Sequence, residues 1–364
     1  MMTRPRVFVW ATGQDDNIGD VVLRRRLLAC LDVPRSSIDL YVGVNSDGYA
    51  SSLITEIRHA EVRLHRRKSG WVIAMMRAAC TRRVIMVANP GEIWLDGSTL
   101  LSHSLLLAPQ WWVRVRGGDV VRAGVALRQT RGVIPSIVVA LLRLSQRSVS
   151  LSSWRDTSTG PRMGAGAVVP DWAFSPGPTA VDGDRRVVMV TFRSDRAPLD
   201  DAECRALRRY ADRTGQRLEV FVQVRHDSAA MAELAGRLGA DLVPWPDSRD
   251  HAEQERLLRD HFRAASLVIS DRIHALIMGS GEGALPAGVH DPSDHKIRRH
   301  FVPAGLHDAT FARTGSGDDL AAFLFSVVGA RERTLSALVT AAGEVDALGR
   351  RLTRLVQVDE VTAA

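Results

Sequence analysis

Twice along this chain, short β-branched runs alternate with stretches of helical apolar spacing, and that double alternation limits the fold more than composition does. The first series opens with RVFVWAT (6–12), a strand by its β-branched and aromatic content, and continues into the helical DVVLRRRLLACL (20–31). IDLYVGV, RRVIMVANP and VVRAGVAL read as further strands, IPSIVVALLRLS as a helix, and SVSLSSWRD as a strand with its loop. VVPDWAFSPGPTAVDGDRR (168–186) then gathers the proline, glycine and aspartate of an interdomain linker. Beyond it RRVVMVTFR, RLEVFVQV, ADLVPW and ASLVIS read as strands, and LDDAECRALRRYADRTG and SAAMAELAGRLG as helices ended by glycine.

Strands alternating with helices build a parallel sheet covered on both faces. Two such series predict an α/β protein of two Rossmann-like domains facing each other across a cleft, residues 1–175 and 176–330. The segment 331–364 carries a long amphipathic helix expected to pack back across the domains. The 364 residues exceed what one core usually holds, so two domains also suit the length.

Several classes are set aside by composition. Neither G-x-G-x-x-G nor G-x-x-x-x-G-K-[ST] occurs, against dinucleotide and P-loop nucleotide binding. Cys30, Cys80 and Cys204 are far apart and lack metal-ligand spacing; they fit a reducing compartment, and no metal site is expected. A net charge of +7 favours anionic partners, but no basic stripe interleaved with aromatics suggests nucleic acid. The N-terminus lacks the apolar run and cleavage site of a secretory signal, and VIPSIVVALLRL (133–144), too short to span a bilayer, reads as a buried helix. A cytoplasmic protein is expected.

Of 48 basic residues only Lys68 and Lys296 are lysine, which draws attention to Lys296; Lys68 is given no role. In ASLVISDRIHALIMG, Asp271 stands where an N-cap belongs, with Arg272 and His274 at about the first and third helical positions. Free N–H groups and the positive end of the helix dipole favour an anion there, beyond the carboxyl end of a strand. The next strand, LPAGVHD, ends in DPSDHKIRRH and delivers Lys296 to the same edge. Taken alone, R-x-H fits better an arginine paired with a carboxylate and a partly buried helix histidine.

The whole tract DRIHALIMGSGEGALPAGVHDPSDHK resembles the C-terminal signature of the polysaccharide pyruvyl transferase family. NIGD (17–20) before a helix resembles that family's N-terminal signature, and SWRDTS (153–158) its segment of arginine, aspartate and a following serine. The resemblance implies the glycosyltransferase-B architecture and a transfer of pyruvate from phosphoenolpyruvate to two hydroxyls of a sugar, in a cell-surface polysaccharide or its lipid-linked precursor, forming a cyclic ketal with release of phosphate. Phosphoenolpyruvate is then the donor substrate and no cofactor is needed. Arg155, Arg272, His274 and Lys296 would form the donor site, with Arg193, at the end of VVMVTFR, a further candidate or a plain loop arginine. His274 would protonate the donor's methylene carbon as general acid. The alternatives are a nucleotide-sugar-dependent glycosyltransferase of the same architecture and a non-catalytic sugar-binding relative.

The acceptor and a base are expected in the N-terminal domain. Asp20, with Asp16 and Asn17 beside it, follows the first strand; Asp20 is the candidate base, although Asn17 or Asp20 could equally cap the next helix. Glu92 in NPGEIW either touches the acceptor or sits in a turn before a helix. The family's loop before NIGD commonly carries aromatics and glycines, and here it reads ATGQDD. Finally, IWLDGSTLLSHSLLLAPQWWVRVR (93–116) reads either as core or as a surface that docks peripherally on the inner face of the cell membrane.

Overall fold

The computed structural model describes residues 5–179 and 184–357. Four residues of the expected linker, 180–183, lie outside the described residues, as do 1–4 and 358–364 of the expected terminal segments. The described chain forms two compact α/β units. One comprises residues up to Asp15, Val21–Trp172 and the chain from Val345; the other comprises Asp16–Asp20 and Ala173–Glu344.

The first unit alternates β1 (Arg6–Trp10), α1 (Ile18–Ala29), β2 (Ser37–Tyr41), α2 (Asp47–Leu53), β3 (Glu61–His65), α3 (Lys68–Thr81) and β4 (Val84–Val87). It continues through β5 (Gly91–Ile93), α4 (Gly97–Val115), β6 (Asp119–Leu127), α5 (Val133–Gln146), β7 (Leu151–Trp154), α6 (Gly160–Met163) and β8 (Ala167–Val168). Its strands are all parallel, in the order β3-β2-β1-β4-β6-β7-β8, with β5 also on β6. Val7, Phe8 and Val9 are buried, as strands covered on both faces require. Strand β3, EVRLH, gives no such signal, because it is a charged edge strand exposed along most of its length.

In the second unit come β9 (Val187–Thr191), α7 (Asp201–Thr214), β10 (Arg217–Phe221), α8 (Ser228–Leu238), β11 (Asp241–Val243), α9 (His251–Ala264) and β12 (Ala265–Ser270). They are followed by α10 (Ile273–Gly281), β13 (Leu285–His290), α11 (Lys296–Phe301), β14 (Thr310–Ala312), α12 (Gly317–Gly329) and α13 (Arg331–Gln357). The parallel order β11-β10-β9-β12-β13-β14 reverses direction between β9 and β12. Ligands bind open α/β sheets beyond the strand ends at such a switch point. Local chemistry fixes the helices: α7 opens with a capping box of Asp200 and Glu203 and closes on Gly215 in the left-handed region. Asp250 and Glu253 cap α9 in the same way.

The expected C-terminal helix is α13, whose residues through Glu344 group with the second unit and from Val345 with the first. There Thr353 donates to the Cys30 carbonyl at 2.8 Å. The expectation that 133–144 is a buried helix is corrected: α5 buries Val138, Leu142 and Ser145 but leaves Ile134, Ile137 and Leu144 exposed. Its inward face is tied down by buried Arg122 of β6, which donates to Gln146 Oε1 (2.6 Å) and Ser145 Oγ (2.8 Å).

Strand β6 shifts register between Arg122 and Val125, where Gly124 has φ +73° and donates its N–H to Ser153 Oγ. A Cβ on Gly124 would lie 2.4 Å from the indole ring of Trp172, which is itself buried and donates to the Ala123 carbonyl. Backbone conformation and space thus both demand glycine. Gly124→Ala is expected to cost about 1–3 kcal/mol or more of stability, read as a lowered denaturation midpoint.

Candidate active site

The second sheet's switch point is where its charged residues converge. Strand β9 ends at Thr191 beside Ser270 of β12, and the loops then diverge as Phe192–Ser194 and Asp271–Arg272. Their free backbone donors are met by two carboxylates, buried Asp227 and half-buried Asp271. Asp271 accepts the Arg193 N–H at 2.9 Å. Asp227, after β10, accepts the Ser194 N–H (2.9 Å) and hydroxyl (2.8 Å) through one oxygen and ion-pairs with Arg272 through the other.

These contacts correct the expected cap. Because Asp271 is engaged by Arg193, it does not cap α10; Arg272 holds the N-cap position, with its N–H on Ser270 Oγ at 2.8 Å, and His274 is the second residue of the helix. Burial pushes the Asp271 carboxyl up to about 6, against the pull of Arg272 and of the Arg193 hydrogen bond. Arg272 is lowered by burial, against the pull of Asp227. Arg193 forks onto Asp195 at 2.8 and 2.7 Å, and that hydrogen bonding holds Asp195 down at about 2.

His274 is buried, and its ring lies against Gly19: a Cβ there would come within 2.4 Å of the histidine's own Cβ and 2.6 Å of Nδ1. Asp16, Asn17 and Asp20, expected in the N-terminal domain, therefore stand with the second unit. Hydrogen bonds from the loop after β10 hold them there. Gln223 Nε2 donates to Asn17 Oδ1 at 3.0 Å, and Arg225 N–H to the Asp16 carbonyl at 2.9 Å. Asn17 and Val224 form an antiparallel bridge. Asn17 Oδ1 also accepts the Gly19 N–H at 2.9 Å, so the capping role open in the sequence is realised. His226 Nδ1 lies 2.6 Å from Asp16; burial pushes that carboxyl up, but the His226 side-chain and backbone hydrogen bonds leave it below the ordinary range.

The remaining candidates lie on other elements. Lys296 opens α11 after β13, its N–H on Asp294 at 2.9 Å, and Asp294 also pairs with Arg196. Arg155 belongs to the first unit, at the end of β7, buried and paired with buried Asp171. Glu92 also lies in the first unit, half-buried; it sits in strand β5 opposite Ala126, not in the turn considered from sequence. Asp227, Asp271, His226 and Ser194 were missed as site residues, although each stands just past a strand that the sequence marks. Lys68, given no role, sits with its ammonium 4.0 Å from the Trp10 ring centroid at the carboxyl end of β1, and burial lowers its pKa. Among the described residues no group of three or more His, Cys, Asp or Glu is placed to hold a metal.

No protein-family model and no curated protein matches the chain. Solved structures do. The UDP-GlcNAc 2-epimerase of Neisseria meningitidis bound to UDP-GlcNAc aligns over 97% of this chain and 100% of its own with a TM-score of 0.59 at 7% identity. The UDP-GlcNAc 2-epimerase of Methanocaldococcus jannaschii aligns over 97% and 100%, with a TM-score of 0.57 at 10% identity. The S. aureus MnaA–UDP structure aligns over 96% and 94%, with a TM-score of 0.51 at 12% identity. At such identities the likeness is one of fold, and the chain has the expected glycosyltransferase-B type of fold, two parallel-sheet α/β domains.

Asp271 offers a pH test. With the folded value raised from 3.8 to about 6, the folded chain holds a proton between those values that the unfolded chain has lost. The ionised carboxylate therefore costs stability that is fully present above about pH 6 and absent below about pH 4. Asparagine keeps an acceptor for the Arg193 N–H without the charge. Asp271→Asn should stabilise the protein at pH 7.5 by on the order of 1–3 kcal/mol, and thermal unfolding should show that gain fading as pH falls through 6 toward 4. A gain independent of pH would contradict this account of Asp271.

Proposed function

We propose that the protein is a pyruvyl transferase of cell-surface glycan assembly, moving pyruvate from phosphoenolpyruvate onto two hydroxyls of a sugar in a cell-surface polysaccharide or its lipid-linked precursor. One observation carries the reading. The two tracts that resemble the family's N- and C-terminal signatures, around Gly19 and His274, stand against each other at the second sheet's switch point although about 250 residues separate them. Packing between segments so distant in sequence gives both signatures one physical purpose.

In this reading the phosphate and carboxylate of the donor are held by Arg272, Arg193 and Lys296, while Arg155, which the resemblance also implies, lies in the first unit paired with Asp171 and is given no part here. Asp227 occupies only part of the Arg272 fork, and a guanidinium has five donors. His274 protonates the methylene carbon, which becomes a methyl group, and one sugar hydroxyl attacks the resulting cationic carbon and loses its proton. The second hydroxyl then displaces phosphate, which departs with that hydroxyl's proton, closing the ketal. Asp20, half-exposed one residue from Gly19, is the candidate base, and Asp16 and Asn17 are candidate acceptor contacts.

A second reading is a nucleotide-sugar enzyme, and it is favoured at the level of fold by the structures described as bound to UDP-GlcNAc or UDP. Thermal unfolding separates the two. Protection by phosphoenolpyruvate but not by UDP-GlcNAc supports pyruvyl transfer, with about 2.7 kcal/mol expected at a hundredfold excess over Kd. The reverse supports the second reading, and protection by neither points to a binding protein that keeps the fold.

Arg272→Ala would strip buried Asp227 of its cation, so the cleaner variant is Arg272→Lys, which keeps the charge and loses the planar fork. It should weaken phosphoenolpyruvate binding by about 1.5–3 kcal/mol per charged hydrogen bond lost. His274→Gln should instead separate binding from turnover: donor affinity stays near wild type while phosphate release falls by about 10²- to 10⁴-fold. A near-native rate would leave His274 a binding residue only.

A further inference from the structure

Helices α4 and α5 pack side by side in the first unit, each with one face inward. Leu106 and Val113 of α4 join the core around Trp71 and Met75, and Val138 and Leu142 of α5 join that around Val125 and Trp154. The opposite faces are apolar too. On α4, Leu101 (63% exposed), Leu105 (60%), Trp111 and Val115 stand in solvent, within about a third of the helix circumference and along about 21 Å of its length. On α5, Val133, Ile134, Ile137 (47%) and Leu144 do the same. Soluble monomers seldom leave so continuous an apolar face uncovered.

Charge indicates what covers it. Between Gly97 and Arg155 the sequence has eight arginines and a single acid, Asp119, which pairs with Arg83 and Arg114. Arg122 and Arg155 are buried. The others border the face: Arg114 and Arg116 at the end of α4, Arg128 and Arg131 leading into α5, Arg143 and Arg147 at its end. The Arg128 guanidinium lies 3.7 Å from the ring centroid of Trp94, itself 56% exposed, an amphipathic pair suited to a headgroup layer. A second copy of this chain, meeting the face symmetrically, would set these arginines against themselves.

We propose that the outer face of α4 and α5 docks on a bilayer surface rich in anionic phospholipid, its apolar stripes at the acyl boundary and its arginines on lipid phosphates. Among the described residues no helix is long and apolar enough to cross a membrane, so the two helices lie on the surface. The inference is independent of which donor the second unit takes.

The test is co-sedimentation of the full chain with vesicles of phosphatidylcholine alone and of phosphatidylcholine with an equal amount of phosphatidylglycerol. Binding is expected only to the second, weakening as salt is raised. Arg131→Gln with Arg143→Gln should weaken it by about fivefold per arginine, and Leu105→Ser with Ile137→Ser by at least about tenfold. Both variants change exposed side chains and should keep the wild-type unfolding midpoint. Wild-type protein that stays in the supernatant with anionic vesicles overturns the proposal, as does the Leu105/Ile137 variant binding like wild type. A wild-type dimer in light scattering that the same variant dissociates, with vesicles ignored, also overturns it and assigns the face to self-association.

Discussion

Two carboxylates, buried Asp227 and half-buried Asp271, bind together the ends of three strands in the second unit. At the switch point the loops after β9 and β12 diverge, and their N–H groups lose the ladder partners that the sheet interior provides. Asp271 takes the Arg193 N–H, while Asp227 takes Ser194 and Arg272, so β9, β10 and β12 are cross-linked where the chain turns away. The arrangement is costly, since burial, even against the pull of Arg272 and the Arg193 hydrogen bond, leaves Asp271 up at about 6. Two arginine forks are held in place beside it, Arg272 by Asp227 and Arg193 by Asp195, and a fixed fork would lose little entropy on meeting an anion.

The segment Asp16–Asp20 extends that framework. It leaves the first unit after Asp15 and is stitched by Gln223 and Arg225 to the loop that also carries Asp227. One short loop thus holds the carboxylate that orients Arg272 and the backbone that presses Gly19 on His274. Even a methyl group at residue 19 would collide with the histidine, so glycine follows from closeness to an imidazole rather than from backbone conformation.

Elements whose signals are local were legible in the sequence. The β-branched cores of β1, β9 and β12 gave the parallel sheets, and the Asp200–Glu203 capping box with Gly215 was written in LDDAECRALRRYADRTG. Arg272 and His274 were located at a helix start from R-x-H and the preceding strand. The cap itself was not legible, because the Asp271 carboxylate is claimed by a backbone group 78 residues earlier in the chain. The residence of Asp16–Asp20 with the second unit was hidden for the same reason, since the sequence order places it after β1. For α5 the difficulty was different: VIPSIVVALLRLSQ is apolar nearly all round, so periodicity could not separate the side facing Val125 and Trp154 from the side facing water.

The two units use arginine in opposite ways, and the neighbouring acids make the difference. At the switch point Arg193 has Asp195, Arg272 has Asp227, and Arg196 has Asp294. Matched cations make a poor surface for adsorbing bulk anions, because each is already partly neutralised. They make a good recognition site, where a ligand must offer oxygens at the unused edges of forks whose orientation is set. Along α4 and α5 the arginines border apolar stripes with hardly an acid among them, so their field adds up rather than cancels and falls off with ionic strength instead of with geometry. A partner there would be selected by net charge and apolar depth, and a ligand at the switch point by the position of each oxygen.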